Sequence, residues 1–351
     1  MQRLKIMDEL KAISKYAGMR EDLVQAGGGN TSVKISDERM YIKASGCQLA
    51  DVSMESGCAL VNPKKIVEFF INTPLGEIGR EQEKELLDMA LIEGGRPSIE
   101  TFLHAVTGRV TLHTHPVFVN ILAVRSTGMD ELKKLFPDAM FVPYATPGIS
   151  LAKEYFQAWL EKGRKTSGVI FLKNHGLVVS GETAEEAISR NEEVVETLAK
   201  YLGMEYSPYQ AATQICNLLA EIYGEGDVVY LSQNRHVYEA YQKLGGMWRH
   251  EMCPDCIVYC GKKILELSDE QRGRDIKTYC AAYGKPIVIK CRDSFYIVAP
   301  TVKKAKETES ILAFSAQVAL GNSGKNIDFL SDGEQDFLLG WDAEKYRRNI
   351  K

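Results

Sequence analysis

The sequence predicts an α/β fold in two parts, and three observations carry that reading. Short apolar runs punctuated by glycine, proline and asparagine alternate with stretches whose apolar residues recur at helical spacing. A cluster of breakers, Gly203, Pro208, Gly224 and Gly226, marks a shift in composition. Beyond it a βαβ-like pattern returns, so domains at 1–205 and 206–351 are expected. The 351 residues, 45% hydrophobic and 26% charged, suffice for one large or two medium domains.

Leu4, Met7, Leu10 and Ile13 share a helical stripe and predict an opening helix over 2–17. Val24-Gln-Ala-Gly-Gly-Gly-Asn-Thr-Ser-Val-Lys-Ile35 then supplies a glycine loop and a strand at Val33–Ile35. Glycines without Cβ let backbone N–H groups approach a ligand, and Asn30, Thr31 and Ser32 add polar side chains. Such a loop suits an anion or serves as a plain turn; it is neither a P-loop nor a Rossmann fingerprint. Met40–Lys43 reads as the paired strand, turning at Ala44-Ser-Gly-Cys47. A strand and a helix follow within 59–70, with Pro63 at the helix start. A helix is expected over 81–93, and another from Ser98, placed as its N-cap, to Val106.

Val110-Thr-Leu-His-Thr-His-Pro116 reads as a strand ended by proline. Next come a helix at 117–124, a strand at 140–144 and a helix at 150–162. Residues 169–181 predict a tight hairpin turning at Asn174-His175-Gly176. Thr183-Ala-Glu-Glu caps a long helix to Leu202. In the second part, strands are expected at 228–231, 257–259, 286–290 and 295–298, with helices at 268–283 and 302–320. No titratable cluster can be assembled there, and it reads as a packing or specificity domain.

A formal charge of −4 gives no electrostatic reason for a nucleic-acid or anionic-membrane partner. The charged amphipathic N-terminus is unlike a signal peptide and no apolar run is long enough to span a bilayer, so a cytoplasmic location is expected. The eight cysteines are scattered and read as reduced thiols. Cys253-Pro-Asp-Cys256 has C-x2-C spacing but no second pair to complete a zinc site, so buried structural thiols are the better reading.

Chemistry concentrates around two of the six histidines. On a strand, side chains two apart share a face, so His113 and His115 would present paired imidazoles to a transition metal. Taken alone, the pair reads equally well as satisfied or exposed histidines. Glu100 and His104, four apart, share a helical face just upstream. β propensity gives no reason for a histidine at 175.

The glycine loop, Pro97-Ser-Ile-Glu100, His113-Thr-His115 and Asn174-His175-Gly176 stand in the order of the class II aldolase/adducin family, which the chain resembles over roughly residues 5–205. That resemblance implies an α/β/α sandwich around a largely antiparallel sheet, with a smaller C-terminal α/β domain added. It implies Zn2+, or another divalent transition metal, on His113, His115 and His175, and Glu100 as general acid/base. Gly29, Asn30, Ser45, Gly46 and Ser98 match the phosphate-binding positions. His104 is expected to support the ligands from behind, or to be a fourth one.

The implied reaction cleaves or forms the C–C bond of a ketose 1-phosphate, giving dihydroxyacetone phosphate and an aldehyde through a metal-stabilised enediolate. A sugar-phosphate substrate and a homo-oligomer, in this family a tetramer, go with it. Pro97-Ser-Ile-Glu-Thr-Phe-Leu-His-Ala105 and Pro254-Asp-Cys-Ile-Val-Tyr259 look more narrowly like the aldolase half of bifunctional rhamnulose-1-phosphate aldolase/alcohol dehydrogenases, with fuculose-phosphate aldolase also similar. No dinucleotide fingerprint for a dehydrogenase half is present up to Lys351. Two positions depart from the family pattern. Ile99 replaces a second serine, and residues 117–140 supply no catalytic tyrosine, Tyr144 reading as structural. A 4-epimerase or decarboxylase would use the same metal, though epimerases carry Asp where Glu100 stands. A non-catalytic adducin-like scaffold is disfavoured by the three retained histidines.

Overall fold

The computed structural model describes residues 2–340 apart from 54, 55, 166, 225, 246, 247, 269, 270 and 324. The chain forms two compact units, one ending at Tyr206 and one beginning at Ser207.

The first unit runs α1 (Gln2–Gly18), β1 (Asn30–Ser36), β2 (Arg39–Lys43), β3 (Cys58–Val61), α2 (Pro63–Asn72), α3 (Glu83–Ala90), β4 (Leu91–Gly94), α4 (Thr101–Ala105), β5 (Val110–Thr114), α5 (Val117–Ala123), α6 (Gly128–Leu135), β6 (Met140–Val142), α7 (Ile149–Glu161), β7 (Val169–Leu172), β8 (Gly176–Gly181) and α8 (Ala184–Leu202). Eight strands form one sheet in the order β4-β3-β2-β1-β5-β8-β7-β6. Every pairing is antiparallel except β6 with β7, so the central sheet is largely antiparallel, as expected.

Alternation along the strands divides the core between the two faces of this sheet. Met7, Leu10 and Ile13 of α1 pack with Val33 of β1, Val110 of β5 and the start of α8. Phe70, Leu86, Phe102, Tyr155 and Phe156 form a second core with Ile170 and Val178. Val178 is the cross-strand partner of His113, so that histidine stands on the second face. Local chemistry sets the helix ends. Pro63 occupies the first turn of α2 behind Asn62, and the Thr183 hydroxyl accepts from the Glu186 N–H ahead of α8.

Several expectations need correction. Leu4 is exposed, so the buried stripe of α1 is narrower than its spacing suggested. Asn30, Thr31 and Ser32 belong to β1 rather than preceding it. The helix expected over 81–93 stops at Ala90, and Leu91–Gly94 pairs with β3 as an edge strand. Ser98 does not cap a helix: α4 starts only at Thr101, with Glu100 before it. Helix α6 fills a stretch for which the sequence offered no reading.

The second unit comprises α9 (Ser207–Tyr223), β9 (Val228–Leu231), α10 (Arg235–Leu244), α11 (Pro254–Cys260), β10 (Leu265–Leu267), α12 (Arg272–Tyr283), β11 (Val288–Cys291), β12 (Ser294–Ala299), α13 (Val302–Gly321) and α14 (Asp332–Gly340). Its sheet has the order β10-β11-β12-β9, with only β10 and β11 parallel. Trp248, Phe295, Leu312 and Cys260 meet in its core. The strand expected at 257–259 is instead helix α11, because Pro254 opens a helical turn and Cys256, Ile257 and Val258 are buried by helical packing. Most of the stretch between the breakers Gly203 and Gly226 is helix α9. Of the helix expected at 268–283, Asp269 and Glu270 lie outside the described residues. Among the described residues no helix is long and apolar enough to cross a membrane.

Candidate metal centre

Three backbone devices bring the singled-out histidines together. His113 is the fourth residue of β5 and is fully buried. His115 lies just past the strand, where its N–H donates to the Leu23 carbonyl at 2.8 Å while Pro116 halts the ladder. His175 occupies the β7–β8 turn, set by the left-handed backbone of Asn174 at φ 54°. Glu100, just before α4, donates its N–H to the Ser98 hydroxyl oxygen at 3.3 Å. Gly28 lies against the site: a Cβ there would sit 2.8 Å from His115 Nδ1.

Ligand atoms of Glu100, His113, His115 and His175 all lie within 4.8 Å of one another. His113 Nε2 is 3.1 Å from His115 Nε2 and 3.2 Å from Glu100 Oε1, which is itself 3.5 Å from His175 Nε2. His113 Nδ1 donates to the Leu177 carbonyl at 2.9 Å. A carbonyl can only accept, so the Nδ1 proton leaves a lone pair on Nε2, aimed at the other imidazoles. Three imidazoles and a carboxylate converging inside the protein are the donor set of a divalent transition-metal site, and the residues fit one.

These groups differ in their electrostatics. Burial, reinforced by His113 and His175, lowers the His115 pKa to about 3, so this ring is neutral and free to ligate. Burial opposes a charge on Glu100, but the adjacent His113 and His175 outweigh it and hold the carboxyl well below its usual range. Burial would likewise lower His113; the Glu100 carboxylate outweighs it and raises that imidazole.

Other singled-out residues take varied places. Asn30 pairs with His113 across β1 and β5, and its buried amide has no hydrogen-bond partner on either polar atom. Gly29 turns at φ 74°, and a Cβ there would come within 2.9 Å of the His113 carbonyl. Ser45 and Gly46 form an exposed turn tied to the segment before Ser98 by the Ser45 N–H on the Arg96 carbonyl at 2.8 Å. Ser98 itself is buried.

His104 stands outside the four-residue cluster. Its Nδ1 is 2.8 Å from the Ser32 hydroxyl, and burial lowers its pKa to about 3. Ile99 packs against the second core. Tyr144, expected to be structural, is 62% exposed.

Sequence reasoning missed Lys43. The sequence reads it only as the end of a strand, yet it is 3% exposed, with Nζ 3.4 Å from the Gly27 carbonyl. Burial lowers its pKa against the pull of Cys47 and of the Glu100 carboxylate. The signal lay in Lys-Ala-Ser-Gly, where a lysine abuts the very turn matched to phosphate binding.

The Class II Aldolase and Adducin N-terminal domain family matches residues 8–202, and the chain belongs to this family. An "Uncharacterized oxidoreductase YuxG" of Bacillus subtilis (strain 168) is 26% identical over 211 residues, 56% of this chain. That match spans only 30% of the relative's length. The N-terminal class II aldolase domain of a conserved protein from Thermoplasma acidophilum is 26% identical with a TM-score of 0.50, covering 56% of this chain and 93% of that one. L-fuculose-1-phosphate aldolase from Thermus thermophilus matches at 18% identity and a TM-score of 0.38, over 57% of this chain and 95% of its own. Class II aldolases are metal-dependent, which accords with a cluster able to hold an ion.

Proposed function

We propose that this chain is a metal-dependent aldolase that cleaves or forms the C–C bond of a ketose 1-phosphate, yielding dihydroxyacetone phosphate and an aldehyde. The observation that supports it most is the convergence of Glu100 with His113, His115 and His175 within 4.8 Å. In this reading the three imidazoles hold a zinc or similar divalent ion, and Glu100 moves the proton. When bound, such an ion supplies Lewis acidity toward a carbonyl and its neighbouring hydroxyl.

The chain's own groups do the rest. The Leu177 carbonyl keeps the proton of His113 on Nδ1, so that ring offers its other nitrogen as a donor. Glu100, ionised, is a base at the centre, and once protonated it can return that proton. Asn30, whose amide is buried without a partner, and Lys43 supply a hydrogen-bond donor and a positive charge suited to a phosphate. Gly29, Ser45, Gly46 and Ser98 complete the proposed cradle, and His104, bonded to the Ser32 hydroxyl, is proposed to support the ligands from behind.

The segments at 97–105 and 254–259 support a narrower placing near the aldolase half of rhamnulose-1-phosphate bifunctional enzymes, beyond what the family match reaches. A homo-oligomer, with four copies as the family pattern, belongs to the same proposal.

The test is deuterium exchange at C3 of dihydroxyacetone phosphate in D2O, followed by NMR. Exchange that EDTA abolishes, and that Glu100→Gln slows by about 10²- to 10⁴-fold with metal content retained, is the expected result. Zinc-loaded protein without exchange would count against a phosphorylated ketose and bring the epimerase and decarboxylase alternatives forward. A protein that binds no metal would end the enzymatic reading and leave the adducin-like scaffold.

A further inference from the structure

Cys253-Pro-Asp-Cys256 in the second unit has no part in the chemistry above. The two sulfurs lie 3.1 Å apart, against about 2.05 Å for a disulfide, so little more than a side-chain rotation separates the dithiol from a bond. Their surroundings differ. Cys253 is partly exposed and precedes α11 in extended backbone, φ −152° and ψ 163°, with no side-chain capping bond to hold its rotamer. Cys256, one turn into α11, is wholly buried. Among the described residues the only metal-ligand cluster of three or more groups is the Glu100 site, so no third sulfur, imidazole or carboxylate joins this pair. Cys260, a turn further on, directs its thiol toward the Thr308 carbonyl instead.

We infer that Cys253 and Cys256 form a thiol–disulfide exchange site whose reactant is a small-molecule disulfide of the glutathione class. The thiolate of Cys253, the accessible sulfur, attacks one sulfur of the reagent; a mixed disulfide forms and the first small thiolate leaves. Cys256 then attacks the Cys253 sulfur, and the second small thiolate departs. Protein dithiol and reagent disulfide become protein disulfide and two small thiols, the two protein protons ending on the released thiolates through solvent. Order of attack follows from access and from acidity: burial, with the adjoining Cys253 sulfur, pushes the Cys256 thiol far up, so it stays protonated until the mixed disulfide stands beside it.

The test equilibrates the full chain with reduced and oxidised glutathione at graded ratios, quenches with an alkylating agent and maps the peptides. Near-complete loss of alkylatable Cys253 and Cys256 is expected, with the intervening peptide lighter by two hydrogens, at ratios where the single Cys47 is still mostly free. In Cys256→Ser the mixed disulfide with glutathione should accumulate on Cys253; in Cys253→Ser, Cys256 should stay unmodified. Wild-type protein in which both thiols remain alkylatable while Cys47 carries glutathione would overturn the inference. So would glutathione on Cys256 in Cys253→Ser, or a metal ion retained by the pair.

Discussion

His113 in the first unit and His250 in the other are alike in isolation. Both are buried, and each donates a ring N–H to a backbone carbonyl, His113 Nδ1 to Leu177 at 2.9 Å and His250 Nε2 to Gly261 at 2.7 Å. They differ in what the remaining ring nitrogen meets. That of His113 faces two imidazoles and a carboxylate, a surplus of acceptors that an ion would satisfy. That of His250 lies 3.9 Å from the carboxylate of its neighbour Glu251, with no other imidazole in the group. A buried histidine thus points to function when its free nitrogen converges with several other ligand atoms, and to structure when one nitrogen is held by the backbone and no such cluster surrounds the other. Burial alone does not separate the cases.

The sharpest way to break this comparison is to truncate each ring. His113→Ala should eliminate metal binding, measured as bound metal per chain after gel filtration. His250→Ala should leave metal content unchanged and cost about 1–3 kcal/mol of stability by stranding the Gly261 carbonyl. Equal metal loss in both variants would refute the distinction.

A further contrast lies within the first unit, between the partner-hungry site and a buried ionic network. Arg20 bonds Asp22 through Nε at 3.0 Å and through Nη2, and also reaches Glu192 and the Tyr206 hydroxyl. This network braces the Asp22–Leu23 stretch, whose carbonyls accept the N–H groups of Val117 and His115. Arg20→Met leaves Asp22 buried without its cation, so a loss of about 3–5 kcal/mol is expected in chemical denaturation. A weaker metal affinity should accompany it, read by competition with a chromophoric chelator. Unchanged affinity in a destabilised variant would show that His115 does not depend on the brace.

The smallest effect concerns protons. The His104 imidazole binds one only near pH 3, whereas the unfolded chain does so near 6.5. Between those values the unfolded state carries the extra proton. The contribution of neutral His104 is therefore intact above about pH 6.5 and declines as pH falls, by at most about 1.4 kcal/mol per unit. Denaturation of the wild type and His104→Gln at about pH 7 and about pH 5 should show a shallower acid loss in the variant. Parallel losses would mean that His104 is already charged in the fold.

Much of the site was legible because its residues lie in short motifs that keep the family's order. Spacing alone left His113 and His115 open to a plain reading as satisfied or exposed histidines; it was the order of four short motifs, matching the family, that joined them to Glu100 and His175. Lys43 was illegible because only the fold takes a strand-end lysine out of water. Likewise Ile257-Val258-Tyr259 favours a strand by composition, and only the proline-led turn and helical packing override it. Helix α9 hid behind the breakers that bracket it: Gly203 lies before it, Gly224 follows it, and Pro208 occupies a first turn where proline is tolerated.

The pairing of β1 with β5 also sets where the chain can change length. Asn30 opposes His113 and Val33 opposes Val110, whereas the irregularity in β1 falls on its other side, between Lys34 and Ser36 against β2. One residue added between Asn30 and Val33 would turn every later side chain to the opposite layer and part Asn30 from the histidine. One added in the Asp37–Glu38 turn would be taken up where the ladder is already uneven. Length variation in this stretch is therefore cheap on one flank of a single strand and ruinous on the other, a few residues away.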